Sequence, residues 1–355
     1  MAGAATSKER AAAAEFLERR WARWLLVLSL FGAGAVVLLV LNVSLGSVTI
    51  PFLDVWSIIL GGEGDSEIFG PVVWKIRAPR ALAALLSGSG LAVSGLLLQV
   101  FFRNPIVGPY ILGISSGAAL MVALVILGGF TLGIASVSPL FLSGAAFVGA
   151  MAVMLIVMAV ATRVRDIITL LVVGLMMGFM ASALSSILIA FAERERVQGF
   201  VLWTLGSFSG FRWEELEIVA VASALLLSAA FLLSKPLNAF LLGENYAQSM
   251  GVNIRLFRYL IILICGALAG VVTAFAGPVA FIGLAVPHMA RLCLGTSDNR
   301  VLIPGAILLG AAVTSACDLL ARMMFSPVEL PISATTSLFG APVVIFLLLR
   351  RRAVA

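Results

Sequence analysis

Charge is scarce in this chain. Only 11% of its 355 residues are Asp, Glu, Lys or Arg, while 62% are apolar. A soluble domain averages about 25% charged and about 45–50% apolar. A chain with this composition cannot cover itself with polar groups in water, and its mean hydropathy of +1.15 assigns lipid as the main solvent. Lysine occurs only as Lys8, Lys75 and Lys235, and none of them follows a glycine. A phosphate-binding P-loop needs Gly-Lys-[Ser/Thr], so the chain does not hold ATP by that route. The single histidine, His288, has no Cys, Asp or Glu beside it. Cys265, Cys293 and Cys317 each sit in an apolar run without CxxC pairing and read as buried free thiols. No Ser/His/Asp or paired-carboxylate constellation is visible within the apolar runs, so no enzymatic site, metal or cofactor is indicated. The net charge of +6 is not gathered into Lys/Arg runs with interleaved aromatics, which argues against nucleic acid as a partner.

What the chain has instead is apolar length. A helix needs about 20 apolar residues to cross the hydrocarbon core. Runs of that kind lie at 25–43, 78–101, 107–129, 138–161, 167–191, 216–233, 257–276, 279–294, 302–325 and 334–349. They do not alternate as barrel strands do, and in lipid only helices or closed barrels satisfy the backbone. The expectation is an all-α membrane protein with about ten transmembrane helices. A cytoplasmic N-terminal tail covers 1–24, a transmembrane domain 25–350, and a short cytoplasmic C-terminal tail 351–355. The basic N-terminal segment is long and the first apolar run ends without a small-residue cleavage site, so it reads as an uncleaved span rather than a signal peptide. The eighth run is short and reads as little tilted or partly re-entrant. Outside the spans, 44–77 and 193–217 read as outer loops, and 234–256 as an amphipathic inner loop too polar to cross.

Orientation follows from the basic residues. With the N-terminus inside, Lys75, Arg77, Arg80, Arg194, Arg196, Arg212 and Arg322 fall outside, seven of the 23 Lys and Arg, and sixteen fall inside. That bias puts both termini in the cytoplasm. Asp318 is the one clear acid within a span; it precedes Arg322 by four residues and reads as a structural ion pair near the outer face. A transporter without a nucleotide site or a proton relay draws its energy from a partner. The alternative is a secondary transporter or channel for a small solute that needs no ATPase.

Small residues four apart, Gly113/Gly117, Gly174/Gly178 and Gly266/Gly270, permit close helix approach. Asn104-Pro105, Gly108-Pro109, Gly277-Pro278 and Pro287 mark bends or broken helices. NPIVGPYILGISSGA faintly echoes GPVAFIGLAVPHMA, and the two lie in spans of opposite sense, as in the inverted repeats of transporters.

Three stretches carry a resemblance. RAPRALAALLSGSGLAVSGLLLQVFFRNPIVGPYILGISSGAAL at 77–120, LGENYAQSMGV at 242–252, and GPVAFIGLAVPHMARL through ELPISATTSLFGAPVVIFLLLRR from Gly277 resemble the iron-siderophore, haem and vitamin B12 permease family of ABC importers. They stand in family order and cover nearly the whole chain beyond the N-terminal tail, whose extra length departs from the family. The resemblance implies a vitamin B12 permease-like fold in the cytoplasmic (inner) membrane. It implies a pair of identical chains with the translocation path at their seam, lined largely by the fifth and tenth spans. It further implies two ATPase subunits on the cytoplasmic side and an extracytoplasmic substrate-binding protein that hands over an iron chelate or cobalamin. Arg77, Arg80 and Arg322 match outward-facing arginines that dock acids of the binding protein. Gly243, Glu244, Ala247 and Gly251 match the cytoplasmic coupling helix that contacts the ATPase.

Overall fold

A computed structural model describes residues 7–46, 50–62, 68–128, 138–161, 163 and 167–352. The acids Glu63, Asp65 and Glu67, and Arg165, lie outside the described residues. The described residues form helices and no strands. In chain order these are α1 (Ser7–Ser44), α2 (Phe52–Ile59), α3 (Phe69–Pro71), a π-helical stretch (Val72–Arg77) and α4 (Ala78–Phe101). A 3-10 turn (Pro109–Leu112) leads into α5 (Ile114–Ile126), followed by α6 (Pro139–Ala161), α7 (Ile167–Phe191), α8 (Arg194–Leu205) and α9 (Trp213–Leu232). The last six are α10 (Ser234–Leu241), α11 (Glu244–Ser249), α12 (Ile254–Ala276), α13 (Ile282–Leu294), α14 (Asn299–Met323) and α15 (Ile332–Arg352).

Seven of the described helices are long and apolar enough to cross a membrane. The shorter apolar helices Ile114–Ile126, Ile282–Leu294 and Ile332–Phe346 bring the set to the ten expected. Burial sorts the spans. In the helix running from Phe69 to Phe101, 83% of the most apolar window is inside the protein, against 11% for α1 and 17% for α7. Thus α4 is the central post, with α12, α13 and α14 packed on it, and α1, α7 and α9 are peripheral. Glycine explains how α4 can be surrounded so closely. A Cβ at Gly88 would overlap the Gly310 carbonyl of α14, and one at Gly95 would overlap the Gly283 carbonyl of α13. Between lipid-solvated helices, packing of this kind replaces the hydrophobic drive that assembles soluble cores. The anticipated glycine pairs act likewise: Gly113 abuts Gly174 and Gly178 of α7, and Gly266 and Gly270 abut Met154 and Met151 of α6.

Three features differ from the expectation. The 44–77 segment is more than a loop. Its α2 packs under the ends of α1 and α4 in a satellite core of Val43, Ile50, Val55, Ile58, Val73 and Ala81, and the second span's helix begins at Phe69. The third span begins with irregular chain and a 3-10 turn, so its α-helix has only 13 residues, about 20 Å at 1.5 Å per residue. The eighth is likewise a 13-residue helix, led in by irregular chain at 277–281. Both are too short for a hydrocarbon core of about 30 Å. Their lead-ins meet: the Tyr110 hydroxyl accepts from the Val279 amide at 3.1 Å, and Pro109 packs on Gly283. Both helices start from a left-handed residue, Gly113 at φ 76° and Phe281 at φ 64°. Irregular backbone survives at membrane depth when it is enclosed by protein in this way. Cys265 and Cys317 are buried as expected, but Cys293 is exposed near the end of α13.

Candidate functional site

The two sets of residues singled out in the sequence lie at opposite ends of the bundle. At the first end, Arg77, Arg80 and Arg322 come together around Asp318. The Nε and Nη2 of Arg80 donate to the Asp318 carboxylate at 3.0–3.2 Å. Its Nη1 donates to both oxygens of Glu329, at 3.0 and 2.9 Å. The planar guanidinium thus forks onto two carboxylates from α14 and the segment after it. Arg322 donates to the side chain of Asn42 at 2.6 Å and to its carbonyl at 3.0 Å, with its Nε 3.5 Å from Asp318. Arg77 donates to the carbonyls of Val43 and Ser44, at 3.1 and 2.7 Å. Those carbonyls end α1, where the helix dipole favours a cation.

All three arginines are therefore turned into the protein, at 4%, 6% and 8% exposure. Asp318 is also buried, at 1%. Glu329 is the solvent-facing member, with a side chain 45% exposed. The Asp318–Arg322 pair anticipated from the sequence is present, but Arg80 is the closer partner of Asp318. Sequence reasoning missed Glu329 and Asn42. The available signals were an asparagine closing the first apolar run and a lone acid just ahead of the last span. Neither says which cation it meets, 249 or 280 residues away in the chain.

At the other end, α10 and α11 form a helical elbow between α9 and α12. Asn238 anchors it, donating to Asp298 at 2.6 Å and accepting from Asn299 at 2.8 Å. Phe240 adds to this by stacking on Phe101. Gly243 (φ 131°) and Gly251 (φ 88°) bracket α11 in backbone conformations that side-chain-bearing residues avoid. Ala247 is fully buried, and Glu244 pairs with Arg258 at 2.8 Å. The outward side shows Leu242 at 68%, Tyr246 at 49% and Met250 at 61% exposure, interspersed with the polar Asn245, Gln248 and Ser249. Apolar groups exposed on a segment too polar to lie in lipid are the usual mark of an interaction surface. Among the described residues no group of three or more His, Cys, Asp or Glu could hold a metal ion.

A many-helix membrane protein with broken third and eighth spans and an elbow between the sixth and seventh belongs architecturally with the type II import permeases. Comparison makes this specific: residues 34–350 match the model of the FecCD transport family, and the chain belongs to that family. The vitamin B12 import system permease protein BtuC of Klebsiella pneumoniae is 36% identical over 345 residues, 96% of this chain and 97% of the relative. BtuC of Salmonella typhi is 37% identical over 339 residues, covering 94% and 97%. Among solved structures, an inward-facing conformation of a metal-chelate type ABC transporter superposes with a TM-score of 0.80 at 30% identity, covering 91% of this chain and 99% of that one. The PsaBC complex of Streptococcus pneumoniae shares the fold, with a TM-score of 0.56 at 17% identity.

Proposed function

We propose that the chain is the permease subunit of an ATP-driven importer in the cytoplasmic membrane, carrying cobalamin or an iron chelate such as a siderophore or haem. It works as a pair of identical chains with two ATPase subunits on the side of the elbow and a substrate-binding protein on the side of the arginine cluster. Both termini are cytoplasmic on this reading. The observation that carries it is family membership across residues 34–350, in a chain whose sequence has no Gly-Lys-[Ser/Thr] phosphate-binding loop.

Each partner has a matching surface. Leu242, Tyr246 and Met250 offer the ATPase an apolar face on an element anchored by buried Ala247. Docking of the binding protein at the arginine cluster takes a form set by burial: its acids would exchange with Glu329 on Arg80, leaving Asp318 in place. Transport into liposomes is the test. Substrate uptake should require the chain, its ATPase partner and ATP together. Uptake by the chain alone, driven by an ion gradient, would overturn the reading.

A further inference from the structure

Between the first two spans the chain forms a short helix, α2, that crosses nothing and carries apolar groups on two opposite faces. At about 100° per residue, Val55 and Ile58 fall together on one side. Leu53, Trp56 and the capping Leu60 fall within about 60° of one another on the other. The first side is buried, with Val55 at 1% and Ile58 at 4% exposure. On the second, Leu53 is 80%, Leu60 81% and Trp56 39% exposed, with Ile59 at its edge. Asp54, the one charged residue of α2, stands off this face in the first turn, with Oδ2 buried. The exposed apolar groups of α11 are interspersed with polar ones; those of α2 form an unbroken strip.

Helix lengths fix the level at which this strip lies. From Trp21 at one interface, α1 rises about 35 Å to Ser44 at 1.5 Å per residue. That spans a hydrocarbon core of about 30 Å and leaves both ends at the headgroups. Val55 and Ile58 share a core with Val43, at the far end of that rise. The same core holds Val73 and Ala81, about 12 Å apart along a helix that runs from Phe69 to Phe101. Because that helix continues past both residues, α2 lies along its flank rather than on top of it. The opposite face of α2 therefore points sideways, away from the bundle. Trp56 stands at this level, as do Trp74 and Trp213, whose rings pair at 6.2 Å. Amphipathic rings of this kind collect at the membrane boundary. Lys75 is exposed between Trp74 and Ile76, with a stem long enough to lift its charge to the headgroups.

We propose that α2 is an interfacial membrane anchor, its Leu53–Trp56–Leu60 face immersed where acyl chains meet headgroups in the leaflet on the arginine side. Lipid is the occupant because the face adjoins the end of α1, a span buried over only 11% of its most apolar window. The face also carries no charged group with which a protein partner could pair, and an apolar face of this size is what a bilayer boundary takes up. The anchor braces the arginine cluster. Val73 precedes Arg77 by one turn, and Val43 gives Arg77 a carbonyl at 3.1 Å. The inference rests on the membrane-spanning fold and not on the importer reading.

The test is electron paramagnetic resonance of the intact transporter in phosphatidylcholine liposomes, with no binding protein added. A nitroxide is attached at Leu53→Cys or Leu60→Cys in a Cys293→Ser chain, since Cys265 and Cys317 are buried. Labels at Leu225→Cys, a 68% exposed position within α9, and at Glu214→Cys, exposed at the start of α9, give the lipid and water references. At 53 and 60 dissolved oxygen should relax the label more than a water-soluble nickel chelate does, as at 225; at 214 the order should reverse. A second readout needs no cysteine. Phosphatidylcholine brominated on its acyl chains should quench tryptophan fluorescence, and Trp56→Phe should lower the quenchable part. Monodispersity and thermal unfolding show whether each variant is folded. Four results would overturn the proposal: nickel access at 53 and 60 as high as at 214, which would put the face in water; shielding from both reagents, which would mean a protein cover; spin–spin broadening between labels, which would mean a second copy; or quenching unchanged by Trp56→Phe. Because none of these readouts requires transport, failure here leaves the importer reading untouched.

Discussion

Removing the Asp318 carboxylate should be among the most damaging single changes outside the packing core. Asp318 is 1% exposed and holds Arg80 with Arg322 beside it. Asp318→Asn keeps the shape but leaves two buried guanidiniums without their shared counter-ion. Breaking a buried pair from one side costs about 3–5 kcal/mol, because the remaining charge stays desolvated. Arg80→Met alone should cost a similar amount for the mirror-image reason. The double variant Arg80→Met/Asp318→Asn removes both charges and should be more stable than the sum of the two single losses predicts, with a coupling energy of about 2 kcal/mol or more. Glu329 provides the internal contrast: half-exposed, it should contribute no more than about 1 kcal/mol. Raising salt should erase the Glu329→Gln effect and leave the Asp318→Asn effect, since only exposed charges are well screened. Apparent unfolding free energies of purified protein in detergent, at low and high salt, read all four variants. Additive single-variant losses, or an Asp318→Asn protein as stable as the parent, would refute the reasoning.

The other predictions test packing and partner surfaces. Gly95→Ala should cost about 3 kcal/mol or more because its Cβ would overlap the Gly283 backbone, whereas Gly34→Ala, with nothing within 4 Å, should be neutral; yield of monodisperse protein separates them. Tyr246→Ala with Met250→Ser should cut co-purification of the ATPase about tenfold or more while leaving thermal unfolding unchanged, since both side chains are exposed. Glu329→Gln should tighten docking of the binding protein by removing the competing carboxylate on Arg80, an effect read by surface binding at low salt; weaker docking would show that Glu329 itself is a contact.

Most of the spans were legible because lipid demands apolar length. The runs 138–161, 167–191 and 257–276 agree with Pro139–Ala161, Ile167–Phe191 and Ile254–Ala276 to within a few residues. The breaks were legible as glycine and proline signals, and the faint echo between NPIVGPYILGISSGA and GPVAFIGLAVPHMA corresponds to two half-length helices with left-handed starts. The true beginning of the second helix at Phe69 was hidden. Lys75 and Arg77 look like the end of an apolar run until the α1 carbonyls that receive Arg77 are known. The facing of Arg77, Arg80 and Arg322 was hidden for the same reason. Sequence shows that cations stand on the side that usually avoids them. It does not show that Asp318 and Glu329, 238 and 249 residues beyond Arg80, turn that residue inward. Closest packing was missed too, since Gly88 with Gly310 and Gly95 with Gly283 are contacts between distant helices rather than a spacing within one.

The arginine fork also bears on how the protein is made. The chain enters the membrane from its N-terminus, so α4 is synthesised and inserted long before α14. Throughout that interval Arg80 has no Asp318 to meet, and a guanidinium at the edge of hydrocarbon is costly. The central post of the bundle therefore cannot take its final depth until the ninth span arrives. A chain cut short before Asp318 would hold a complete α4 that is still unanchored, with Arg80 reaching for the interface. Arrival of Asp318 with α14 supplies the counter-ion, so the ninth span is the step that fixes Arg80, and with it the start of α4, in place.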